Sequence, residues 1–113
     1  MTRLANGTLE IIQSQIDCTV DVIEEIDSAA HKLYRRTSDL RNEIYYVAHE
    51  IEETTSSNPA TSMKLRDRKV NLEVEYEWTY REYDRVNNSL QEVIDHRIGL
   101  IHQKKILQHL GFN

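Results

Sequence analysis

Carboxylates and histidines at helical spacing are the side chains here that could do chemistry. Glu50 and Glu53 stand three apart, as do Glu92 and Asp95. On a helix each pair shares a face and could hold a divalent cation. Glu92 and His96 are four apart, and His102 and His109 are seven apart, so these also align along a face. The chain has five histidines. A di-iron helical bundle needs Glu-x-x-His on two helices, and that spacing does not occur. Cys18 is the single cysteine, so no intrachain disulfide can form, and it reads as a small apolar helix residue. No Ser-His-Asp or Cys-His arrangement stands out, and no glycine-rich phosphate loop is present. The expectation is a protein that is not an enzyme, with no catalytic residues, no metal and no cofactor.

Two short motifs carry a resemblance. Glu92-Val-Ile-Asp95, followed by an apolar stretch, resembles the second half of the magnesium-binding pattern of MazG-type all-α nucleotide pyrophosphatases. The resemblance implies magnesium-dependent nucleotide hydrolysis, with Glu92 and Asp95 as ligands. The family's first half, Glu-Glu-x-x-Glu, is missing: Glu24-Glu25 is followed by Ser28 where a carboxylate belongs. Tyr80-Arg-Glu-Tyr-Asp84 is similar to the Tyr-x-x-x-Asp signal of the small helical-hairpin substrates and targeting partners of type VII secretion. That resemblance implies export without a cleaved signal. The chain departs from the family in lacking its Trp-x-Gly turn, since Trp78 lies mid-helix, as does the tyrosine motif.

The elements that position these residues follow from composition and periodicity. The chain has 113 residues, enough for one domain spanning 1–113. Charged residues make up 29% and apolar residues 39%, which fits a soluble, helix-rich protein with a narrow apolar seam. Three glycines and one proline are too few for a β-rich fold. A formal net charge of −5 disfavours nucleic-acid binding. No apolar run approaches the ~18–20 residues of a membrane span. The opening MTRLANGTLEII has no signal-peptide core, so the expected location is cytoplasmic, with signal-independent export as the alternative.

The seam can be counted. Leu9, Ile12, Ile16, Thr19, Ile23, Ile26, Ala30, Leu33, Thr37, Leu40, Ile44, Val47 and Ile51 alternate steps of three and four, and none is charged. That alternation marks a left-handed coiled-coil seam. Residues 54–62, Thr-Thr-Ser-Ser-Asn-Pro-Ala-Thr-Ser, then concentrate helix competitors around the only proline. A second seam follows: Leu65, Lys69, Leu72, Tyr76, Thr79, Tyr83, Val86, Leu90 and Val93. Beyond it Ile94, Ile98 and Ile101 read as a stutter, with Gly99 marking a bend or a close contact. The expected fold is all-α: a long antiparallel two-helix coiled-coil hairpin. Helix one covers about 8–53, the loop 54–61 and helix two about 62–109, with Thr61 or Ser62 as the second cap.

Charge order supports the hairpin. Folded at residue 58 or 59, residue i lies near residue 117 minus i. Glu52 and Glu53 then approach Lys64 and Arg66, Arg35, Arg36 and Arg41 approach Glu82 and its acidic neighbours, and Asp17 and Asp21 approach Arg97. Surface pairs contribute only about 0–1 kcal/mol each, but opposed blocks select orientation and register.

A lone hairpin buries one stripe per helix, and this chain has more apolar surface than that. Val70, Val74 and Trp78 lie off the second seam, and Tyr45, Tyr46 and Tyr80 join them in the loop-side half. Tyrosine and tryptophan are enriched at interface hot spots. These six are the expected partner-binding residues. The expected function is a protein–protein interaction module: an adaptor, chaperone, inhibitor or assembly subunit. It would bind itself, as a homo-oligomer forming a four-helix bundle, or another helical protein.

Overall fold

A computed structural model describes the backbone of residues 2–111 and the side chains of residues 7–111. Helix α1 runs from Thr2 to Thr54 and helix α2 from Pro59 to His109. Among the described residues there is no strand. The chain is an all-α, antiparallel two-helix hairpin.

The reversal is made without glycine. At the end of α1, the Thr54 and Thr55 hydroxyls donate to the carbonyls of Glu50 and Ile51 (2.8 and 2.5 Å). The Asn58 N–H donates to the Thr54 carbonyl at 2.8 Å. The bonds to the Ile51 and Thr54 carbonyls satisfy groups that a helix terminus otherwise leaves bare. Helix α2 then starts earlier than Thr61 or Ser62. Asn58 is its cap, accepting the Thr61 N–H on its side-chain oxygen at 3.2 Å. Pro59 is the first helical residue, where its missing N–H costs nothing and its fixed φ suits the helix. The proline therefore opens α2 instead of lying within a long loop. At the other boundary α1 begins at Thr2, ahead of Thr8, because Asn6 and Gly7 weaken a helix without breaking it. Helix α2 ends before Gly111, whose φ of 91° is the left-handed conformation that glycine adopts freely.

The contacts cluster into two compact units. One comprises residues up to Ala29 together with those from Val86 onward; the other is Ala30–Arg85. In the first, Ile12, Ile16 and Leu100 are buried together, with Ile101 and Leu107 packed against them. In the second, Leu40, Val47 and Leu72 form the core, flanked by Ile44, Ile51, Leu65 and Tyr76. Leu40 is fully buried, at 0% exposure.

Every residue of the first seam, from Leu9 to Ile51, is buried or half-buried, as is every residue of the second from Leu65 to Val93. The mirror rule holds closely. Gln13 meets Lys104, Tyr34 meets Tyr83, Arg41 meets Tyr76 and Thr55 meets Ser62. Threonine is tolerated in the seam because its hydroxyl bonds its own helix: Thr19 to the Ile16 carbonyl (2.5 Å), Thr37 to that of Leu33 (2.8 Å).

After Val93 the seam continues in unbroken alternation through Arg97, Leu100, Lys104 and Leu107, all buried or half-buried; of the stutter residues Ile94 and Ile101 are half-buried beside it, while Ile98 is 60% exposed. Arginine and lysine can enter an apolar seam by burying their aliphatic stems. Lys104 then donates to the Gln13 side-chain oxygen. The Arg97 Nε is buried and lacks a hydrogen-bond partner. Gly99 makes neither a bend nor a close contact: α2 runs through it, and a Cβ there would meet nothing within 4 Å.

The opposed charge blocks pair differently from expectation. Lys69–Glu73, Arg81–Glu77, Arg85–Glu82 and His49–Glu53 run along one helix. Glu82 thus takes Arg85 in place of the α1 arginines, and Glu53 takes His49 in place of Lys64 or Arg66. The neighbour one turn away costs less side-chain entropy to reach than one across the seam. Arg36 does cross, to Glu75.

Candidate interaction surface

The seam phase assigns each side chain that directly flanks the seam to a side. A residue immediately after a seam position lies on one side of the seam, and a residue immediately before one lies on the other. Two sets of contacts within Ala30–Arg85 confirm this. Arg36 and Glu75, which precede Thr37 and Tyr76, meet on the first side, the Arg36 Nε donating at 3.2 Å. Glu75 raises the pKa of the Arg36 guanidinium through that hydrogen bond, so the cation persists at any working pH. Tyr34, Arg41 and Tyr80, which follow Leu33, Leu40 and Thr79, meet the seam tyrosines on the second side.

That second side is an aromatic surface. The Tyr34 and Tyr83 rings lie tilted with centroids 5.9 Å apart, and Tyr76 and Tyr80 stack at 6.3 Å. The Arg41 guanidinium sits 6.0 Å from the Tyr76 ring centroid and donates to its hydroxyl at 3.3 Å. That bond raises the Arg41 pKa. The rings are therefore held by one another and by a cation before any partner arrives.

The six residues singled out by sequence are all exposed, Tyr45 most at 70% and Tyr80 least at 50%. They do not form one patch. Tyr45, Val70 and Tyr80 follow Ile44, Lys69 and Thr79 and lie on the tyrosine side. Tyr46 and Trp78 precede Val47 and Thr79 and lie on the opposite side. Val74, midway between Leu72 and Tyr76, points outward. Tyr45 and Tyr46, being neighbours, still meet edge-to-face at 5.8 Å. Tyr34, Arg41 and the exposed Met63 also lie on the tyrosine side, directly after Leu33, Leu40 and the buried Ser62; sequence reasoning took Arg41 only as a member of a charge block.

The side chains with chemical potential are dispersed. Glu92, Asp95 and His96 are exposed, and Asp95 accepts a bond from Gln91 at 2.9 Å. Among the described residues no three His, Cys, Asp or Glu side chains come together to hold a metal ion. Asp21, Glu24, Glu25 and Ser28 line an open surface hollow. Cys18 is exposed. No described helix is long and apolar enough to cross a membrane. No family model matches the chain, and neither a curated protein nor a solved structure shows significant similarity to it.

Proposed function

We propose that this protein is an interaction module whose binding surface is the tyrosine side of Ala30–Arg85. The observation that carries the reading is the exposure left after the seam is filled. Tyr34, Tyr45, Met63 and Val70 are each more than half exposed, and they share that side with Tyr80. Large apolar side chains left exposed on one side of a filled seam support an interaction site there. Rigid aromatic side chains with a polar tip supply large contact area at little entropic cost. Tyr46 and Trp78 offer a separate surface on the other side. The occupant is a helical chain, either a second copy or another helical protein, because a ridge of side chains at three- and four-residue spacing fits the grooves of a helix. The module then acts as an adaptor, chaperone, inhibitor or assembly subunit.

The test is site-specific photo-crosslinking in the native cell. A benzophenone side chain at Tyr45 should form covalent adducts with another polypeptide, whereas one at exposed Asn42, on the outer edge of α1, should not. Absence of adducts at Tyr45, or equal yields at both positions, would overturn the reading.

A further inference from the structure

The tyrosine side leaves its occupant open, and the order of its charges narrows the choice.

At matching levels along the seam, cationic Arg41 on α1 stands level with Glu73 and Glu77 on α2, and Glu52 stands level with Arg66. Apolar residues share levels in the same way: Tyr45 and Ala48 with Val70, and Tyr34 with Tyr80. A surface whose two halves complement each other level by level also complements a copy of itself, provided α1 lies over the copy's α2. That requires a two-fold axis parallel to the helices.

We infer that a second copy of this chain covers the tyrosine side of Ala30–Arg85, with both turns at the same end and α1 of each copy over α2 of the other. The inference rests on the interaction reading above and names its partner. In this four-helix arrangement Arg41 meets the acidic pair of the other copy, Glu52 meets Arg66, and Tyr45 and Ala48 pack on Val70. A two-fold axis perpendicular to the helices would stack α1 on α1. Centred so that Arg41 meets Glu52, it would put Tyr34 level with the turn and leave it uncovered.

The experiment combines mass with disulfide trapping in the full chain. In a Cys18→Ser background, Ser38→Cys and Glu77→Cys are made as separate proteins; both positions are exposed, follow a seam residue and sit at nearly the same level. Light scattering of the parent should give twice the 13.3 kDa chain mass. Oxidation after mixing should yield the mixed disulfide dimer several-fold over either self-linked dimer. Self-linked Ser38→Cys dimers in excess would overturn the arrangement. A monomer at every concentration would overturn the second copy as the occupant. In that case the benzophenone at Tyr45 separates the two claims: adducts to a different protein leave the interaction reading standing without self-association, and no adducts at all overturn both.

Discussion

Arg97→Leu should stabilise the protein. Arg97 occupies a seam position between Val93 and Leu100, and its Nε is buried with no hydrogen-bond partner. A buried donor left unsatisfied costs about 1–3 kcal/mol relative to its hydrated state. Leucine removes that donor and keeps an apolar side chain in the layer, forfeiting only part of the packing of the arginine stem. Asp17 and Asp21 make no ion pair with Arg97, so little electrostatic attraction is lost. The expected net gain is about 1–2 kcal/mol, read as a higher urea midpoint at an unchanged slope. Arg97→Met, closer in length to the arginine stem, should behave alike. A lower midpoint for both variants would refute the reasoning and show that the guanidinium stabilises the seam.

Four further outcomes follow. Gly99→Ala removes a helix-weakening residue where a Cβ meets nothing, and should raise stability by about 1 kcal/mol in thermal or urea unfolding. Leu40→Ala empties the fully buried centre of Ala30–Arg85 and should cost about 2–5 kcal/mol, whereas Val74→Ala on the outward face should cost under about 0.5 kcal/mol. Asn58→Ala removes the cap of α2 and should cost about 0.5–2 kcal/mol, while Asn58→Asp, which retains the acceptor, should cost less. Trp78 lies across the seam from the tyrosines, so Trp78→Ala should leave the dimer mass unchanged while Tyr45→Ser/Val70→Ser/Tyr80→Ser reduces it to that of one chain, both read by light scattering.

The hairpin was legible because its signal is repetitive. Thirteen seam positions in the first helix and nine in the second outweigh any local ambiguity, and Gln13–Lys104 and Tyr34–Tyr83 obey the mirror rule drawn from the charge blocks. What misled was residue chemistry taken one position at a time. Ile98 is apolar and Arg97 is charged, so a local reading puts the isoleucine inside. Heptad phase prevails instead, because shifting register would displace Leu100 and Leu107 as well, and a long cationic stem can adapt where a whole helix face cannot. Pro59 was read as a breaker from its usual effect within helices, although the preceding asparagine gives it the one helical position where it is favourable. The surface residues were legible as a set but not as a partition. Composition says that Tyr45, Trp78 and Tyr80 are spare; only the phase of each relative to the seam says which of them can touch the same partner.

The cross-seam contacts also imply an order of assembly. Thr55 and Ser62 are seven residues apart in sequence, Arg41 and Tyr76 are 35 apart, and Gln13 and Lys104 are 91 apart. Closing a longer loop from the open chain costs more entropy, and contacts of large separation form slowly. Each layer closed near the turn shortens the loop that the next must close. The hairpin should therefore zip from Asn58 outward and fray from the opposite end, with amides around Leu40 and Leu72 the last to exchange and those around Ile12 and Leu107 among the first.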